Sequence, residues 1–150
     1  MPQSIVKMLA HIVFSTKNRG DLIYPEIENG LFGYIHGIVE NNRAKLIIAN
    51  GTTNHIHLLV SLPTKIDIPA LVGDIKRDSS SWVKKQDSTL DNFYWQRGYG
   101  AFSVGQLEIE VVKRYIANQK EHHKKKDFKT EYRGFLRKYD VDFDEQYVWD

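Results

Sequence analysis

No cysteine occurs among the 150 residues, which removes a disulfide framework and a zinc ribbon from consideration. No apolar run approaches the ~20 residues that a membrane-spanning helix needs. The opening stretch MPQSIVKMLAHIVFSTKNRG lacks the basic, apolar and small-residue order of a secretory signal, so the expected compartment is the cytoplasm. A large net charge is missing as well, since 21 Lys and Arg against 19 Asp and Glu leave +2. There is no internal repeat, no low-complexity linker and no shift in composition before about residue 127.

What is present is an ordinary apolar fraction, 41%, enough for the core of one domain. The small net charge conceals an asymmetry. Residues 113–138, KRYIANQKEHHKKKDFKTEYRGFLRK, are strongly basic, whereas 140–150 are acidic. A local basic surface suits a polyanion, and the bland alternative is a solvated charged helix. Phe143, Tyr147, Val148 and Trp149 make the acidic end too apolar for a free tail, so packing is expected there rather than a strap over the basic site. The expected division is a domain over 1–127 with a tail, 128–150, packed on or near it.

Apolar periodicity places the elements. Residues 4–16 read as a strand. Ile27, Leu31, Ile35, Ile38 and Val39 mark a helix over 26–41. Residues 44–49 and 55–62 read as strands joined by a turn at Asn50-Gly51. Ile68, Leu71, Val72, Ile75, Trp82 and Val83 mark a second helix, with Pro69 near its start. A loop and strand follow over 93–104, then a third helix from Gln106 to about Lys124, a short helical piece at 128–138 and an extended end. The order β-α-β-β-α-β-α fits an α+β, ferredoxin-like (split βαβ, RRM-like) antiparallel sheet with helices packed on one face.

His55 and His57 flank Ile56 in NHIHLLVSLP. Residues two apart on a strand share a face, so the two imidazoles project side by side and can hold one divalent ion. The alternative is a pair of histidines satisfied on a partly polar sheet face. The third helix offers further donors. With Val112 at zero and about 100° per residue, Ile109 and Ile116 define the buried stripe at about +60° and +40°. Gln119 falls inside it at about −20°, and Tyr115 at its edge at about −60°. A glutamine in an apolar stripe needs partners. Packed on the sheet, this helix brings Tyr115 and Gln119 toward the histidine face. Their bland readings are a boundary tyrosine and a structural hydrogen bond. His11 and His36 fall on expected core elements and read as structural.

HIH on a strand, followed by YIANQ on a basic helix, resembles the single-tyrosine HUH transposases of insertion sequences and the REP-associated tyrosine transposases. HIVFSTKNR (11–19), DIKRDSSSWV (74–83), WQRGYGAFSV (95–104) and the ending YVWD are similar to that group too. The resemblance implies cleavage and transfer of single-stranded DNA through a 5′-phosphotyrosine. Tyr115 would be the nucleophile, and His55, His57 and Gln119 the ligands of Mg²⁺ or Mn²⁺. His123, four residues past Gln119, is the weaker candidate to join or replace it, and His122 reads as solvated. Lys17, Arg19, Lys76, Arg77, Trp95, Arg97, Lys113 and Arg114 would hold DNA, often a hairpin in this family. A homodimer is implied, with Tyr115 acting in cis or in trans. The competing class is a non-catalytic nucleic-acid-binding module on the same fold. RNA-recognition modules place aromatics on their central strands, where this chain has histidines.

Overall fold

A computed structural model describes residues 2–65 and 67–150. The elements are β1 (Leu9–Ser15), α1 (Pro25–Asn41), β2 (Lys45–Gly51), β3 (His55–Ser61), α2 (Ile68–Gln86), β4 (Gly100–Val104), α3 (Ile109–Ala117), α4 (Gln119–His122) and α5 (Phe128–Lys138). The strands form one sheet in the order β2-β3-β1-β4, every neighbour antiparallel. This is the expected α+β, ferredoxin-like topology.

The helices start where the sequence supplies start signals. Pro25 opens α1, with Glu26 and Glu28 in its first turn against the helix dipole. Asp67 caps α2, its Oδ1 accepting from Ala70 N at 3.0 Å. Leu31 and Ile35 of α1 and Leu71, Val72 and Ile75 of α2 then bury against Ala10, Ile12 and Phe14 of β1 and Ile56, Leu58 and Val60 of β3. That is the main core, and it lies on one face of the sheet. Strand alternation sends the other set of residues to the opposite face. There Leu9 and Leu59 meet Val112 and Ile116 of α3, and Val13 and Phe102 meet Phe128, Tyr132 and Leu136 of α5. His11, His55 and His57 occupy this second face, under the chain's C-terminal helices.

Four local expectations change. The β2–β3 turn lies at Thr52–Asn54, not at Asn50-Gly51, which both belong to β2. Gly51 is needed there because a Cβ would come within 2.2 Å of the His55 carbonyl oxygen. The third helix is interrupted at Asn118 (φ −98°, ψ 19°). Asn50 Nδ2 donates to the carbonyls of Ile116 and Ala117 at 2.9 and 3.1 Å, drawing off the acceptors that a continuous helix would use. Thus Asn50, read as a turn residue, caps the tyrosine helix. His36 is exposed, not part of the core. Finally, the end of the chain turns back, with Tyr147 and Val148 N–H donating to the Asp144 carbonyl. Trp149 is buried there, its Nε1 donating to Glu145 Oε2 at 3.0 Å.

Candidate active site

The site is assembled on the second face of the sheet. β3 fixes His55 and His57 side by side, both fully buried, with ring centroids 5.1 Å apart. α3 brings Tyr115 over them, its ring 6.0 Å from that of His57. α4 delivers Gln119, which has no exposed surface. Its Oε1 lies 3.2 Å from His55 Nε2. The residues singled out from the strand and the helix therefore converge, despite the interruption at Asn118.

Two residues at the centre were not foreseen there. Glu131, in the first turn of α5, is only 4% exposed. Its Oε1 lies 3.0 Å from Nε2 of His57, 3.0 Å from Nε2 of His123 and 3.5 Å from Nε2 of His55. Its Oε2 accepts from Gln119 Nε2 at 3.0 Å and from the Tyr115 hydroxyl. The second is His11, taken as structural, whose Nε2 meets His57 Nδ1 at 2.8 Å. A signal for Glu131 was present in the sequence: Phe128, Tyr132, Phe135 and Leu136 form an apolar stripe, and Glu131 stands on it as Gln119 stands on the stripe of α3. His11 depends on strand register, which periodicity does not give. His122 also departs from its solvated reading, because its ring stacks on Tyr115 at 4.6 Å and 29°.

The electrostatics follow from burial. His11 is pushed down to about 3 and His55 to about 4, mainly by burial, so both are neutral imidazoles. Burial also works to raise Glu131, but hydrogen bonds from His123, His55 and His57 hold its carboxyl well below the usual range. Burial, then the charge and hydrogen bond of Glu131, push the Tyr115 phenol above its ordinary value. A cavity of about 420 Å³, lined by Tyr115, His122, His123, Lys125, Lys126 and Glu131 among others, opens onto this group.

The donor set fits a divalent ion. His55 Nδ1 faces Asn54 Oδ1 at 2.8 Å, an acceptor already serving the Thr52 hydroxyl. His55 Nδ1 also lies 2.9 Å from the Thr52 hydroxyl, and its Nε2 lies 3.2 Å from Gln119 Oε1 and 3.5 Å from Glu131 Oε1. Imidazole nitrogens, an amide oxygen and a carboxylate gathered in one buried space are donors that a cation can complete. One ligand atom from each of His55, His57, His123 and Glu131 lies within 4.8 Å of the others, within reach of one ion.

The family profile described as "Transposase IS200 like" matches residues 4–119. The chain belongs to the IS200-like transposase family. Membership assigns it to DNA transposition. It is 28% identical over 119 residues to the transposase for insertion sequence element IS200 of Salmonella typhimurium, covering 76% of this chain and 78% of that protein. The ISDra2 transposase TnpA of Deinococcus radiodurans is 22% identical over 114 residues, 73% of this chain and 81% of that one. Among solved structures, a REP-associated tyrosine transposase bound to a REP hairpin shares the fold at TM-score 0.63 and 15% identity, over 82% of this chain and 73% of its own. A candidate transposase from D. radiodurans superposes at TM-score 0.62 and 21% identity, over 79% and 98%.

The side chains expected to hold DNA divide into exposed and committed ones. Lys17, Arg97 and Arg114 are exposed, and Lys113 is half-buried. Arg77 is exposed but engaged with Asp74 and Asp78. Arg19 Nη1 donates to the Trp149 carbonyl at 2.8 Å. Trp95 is a correction: it is 7% exposed, its ring set edge-on to Phe14 and Phe93 and its Nε1 donating to Ser79 Oγ, so it offers no face to a base. The chain bridges Thr16 at Trp95, which turns this side chain inward and leaves Tyr94, 53% exposed, outside. Lys76 is another correction: its Nζ donates to the carbonyls of Gln96, Arg97 and Gly98 at 2.7–3.0 Å, and burial lowers it to about 8. Lys17, Tyr94 and Arg97 help to line a cleft of about 530 Å³ that ends against Trp149 and Asp150. Among the described residues no helix is long and apolar enough to cross a membrane.

Proposed function

We propose that the protein cleaves and rejoins single-stranded DNA by way of a 5′-phosphotyrosine at Tyr115, with a divalent ion, Mg²⁺ or Mn²⁺, held by His55, His57 and Gln119. The observation that carries this reading is the convergence of those residues on one buried centre beneath a hydroxyl, all within the segment that matches the transposase family.

The Tyr115 oxygen attacks phosphorus; the P–O3′ bond breaks, the phosphate becomes an ester of Tyr115, and the 3′-oxygen leaves and takes up a proton. The ester conserves the bond energy, so a later 3′-hydroxyl can displace Tyr115 without a nucleotide cofactor. Glu131 Oε2 holds the phenolic proton before attack and fixes the direction of the oxygen. A bound cation would neutralise charge at the phosphate and make ionisation of the phenol less costly. Lys125 and Lys126 at the cavity mouth give the phosphate backbone an approach, and exposed Tyr94 beside Lys17 and Lys84 offers a base-stacking platform.

A DNA hairpin is the proposed substrate form; the REP-bound structural neighbour supports it. Tyr115 lies over the histidines of its own chain, which suits attack in cis. A homodimer with exchanged tyrosines is tested by mixing Tyr115→Phe with His57→Ala protein, since restored cleavage requires trans assembly. For the reaction itself, a library of single-stranded hairpins labelled on the 3′ side of the cut is incubated with protein and Mn²⁺. A labelled adduct that survives denaturation is expected. Binding without any adduct leaves a non-catalytic module.

A further inference from the structure

Glu131 stands twelve residues past the end of the family match, and its carboxylate is buried among neutral-type donors rather than beside a lysine or arginine. Among the described residues no lysine or arginine forms an ion pair with it. Arg133, two residues on, is taken by Glu145 at 2.6 Å and lies over Trp149. The start of α5 contributes only about half a unit of positive charge. A buried anion held this far from cations is costly unless a charge completes it. Its partners are instead the Nε2 atoms of three imidazoles, and His55 Nδ1 is already engaged at Asn54. His123 reaches the group from just beyond α4, with its ring 4.3 Å from that of His55.

We infer that Glu131 and His123, both outside the family-matched segment, are ligands of the ion. With His55, His57 and Gln119 they make a set of three imidazole nitrogens, one amide oxygen and one carboxylate, and α5 becomes part of the metal centre. This assignment rests on reading the histidine face as a metal site. It deepens that reading in two ways. Glu131 supplies the anionic ligand that two imidazoles and an amide lack. Three imidazoles move the preference away from Mg²⁺, which favours oxygen donors, toward Mn²⁺ and other first-row ions. Gln119 Nε2 and the Tyr115 hydroxyl both bond to the other carboxylate oxygen, so the residue that grips the ion also aligns the nucleophile.

The test is binding of the metal alone to the full chain. Mn²⁺ is titrated into wild type, Glu131→Gln, Glu131→Asp, His123→Ala and His57→Ala, and free Mn²⁺ is read by electron paramagnetic resonance. Circular dichroism checks the fold of each variant. Glu131→Gln keeps the shape and removes the charge, and it should weaken binding at least ~10-fold, a loss that even outer-shell partners produce. Glu131→Asp should recover part of that loss. His123 is near the rim, so its truncation tests the set without disturbing the core, and it too should weaken binding. Mg²⁺ in large excess should displace Mn²⁺ poorly. Wild-type affinity in Glu131→Gln and His123→Ala, with loss in His57→Ala, overturns the inference and leaves the transposase reading intact. No Mn²⁺ binding by wild type, together with no covalent DNA adduct, overturns both.

Discussion

His11 Nε2 and His57 Nδ1 lie 2.8 Å apart across the β1–β3 pair, each ring using the other as its hydrogen-bond partner. Burial keeps His11 neutral, so it can donate or accept, but not both at the same nitrogen. For His57 to turn a lone pair from Nε2 toward an ion, its proton must sit on Nδ1 and be donated to His11. His57 Nε2 lies 3.0 Å from Glu131 Oε1; when it donates to that carboxylate, the proton shared with His11 must come from His11. The pair can exchange these roles without moving a heavy atom. With His57 as the proposed ligand, His11 is the partner that orients it.

Substitutions at His11 should separate these roles. His11→Ala leaves His57 Nδ1 unpartnered and should weaken Mn²⁺ binding by about 10–100-fold. His11→Gln, whose amide can turn either its oxygen or its nitrogen to His57, should retain most of the affinity. Calorimetric titration of both variants checks this. Equal affinity in wild type and His11→Ala would show that the His57 tautomer needs no support.

Acid should destabilise the fold through the same residues. An unfolded histidine titrates near 6.5, whereas His11 and His55 are lowered to about 3 and about 4. Below pH 6.5 the unfolded chain binds protons that the folded chain refuses. This contribution is therefore complete above about pH 6.5 and is lost as pH falls toward the folded values. By pH 5 each histidine should cost about 2 kcal/mol, a fall of several degrees in thermal midpoint. The His11 ring faces His57, Tyr115, Glu131, Phe135 and Lys138, so its titration is not isolated. His11→Gln should flatten the profile between pH 7.5 and 5, measured by calorimetric melting. A wild-type midpoint that does not change over that range would show that the buried imidazoles take up protons as readily as those of the unfolded chain.

Tyr94 is exposed and Trp95 buried, so the proposed base-stacking role of Tyr94 can be compared directly with that expected of Trp95. Trp95→Ala empties a site packed against Phe14 and Phe93 and should cost about 3–5 kcal/mol. Tyr94→Ala should leave the melting temperature nearly unchanged and weaken single-stranded DNA binding by about 1–3 kcal/mol. Fluorescence anisotropy with a labelled hairpin, beside thermal melts, reads both quantities. Stable protein with lost DNA binding from Trp95→Ala would restore the original assignment.

The errors in reading the sequence have a common physical origin. Features set by period within one element were legible: the shared face of His55 and His57, the apolar stripes of α1, α2 and α3, and the anomalous Gln119. Features set by register between elements were not. Whether His11 meets His57 depends on which residues pair across β1 and β3. Whether Trp95 or Tyr94 points outward depends on a single bridge to Thr16. Asn50 looked like a turn residue because asparagine beside glycine favours turns, yet its amide was claimed by the end of α3. Glu131 was available to the same stripe argument that found Gln119, but a carboxylate among lysines reads first as one more surface charge.

Tyr115→Phe removes one oxygen from the centre and leaves its ring among His57, His122 and Phe135. If Tyr115 were only a boundary aromatic, the loss would be one hydrogen bond to Glu131, on the order of 1–3 kcal/mol because the acceptor is charged. DNA processing would continue. If Tyr115 is the nucleophile, the Phe variant can form no phosphodiester bond to the chain, and the covalent adduct should vanish altogether. Binding should persist, because Lys17, Tyr94, Arg97 and the lysines at the cavity mouth do not depend on the phenol. Stability should fall by no more than that hydrogen bond. Glu131 gives up a partner, yet His123, His55 and His57 still hold its carboxyl low. The measurement is a denaturing gel of hairpin DNA labelled 3′ of the cut, run with Mn²⁺ beside an anisotropy assay. Wild-type levels of adduct from the Phe variant would remove Tyr115 from the chemistry, and retained binding with no adduct would assign the attack to its oxygen.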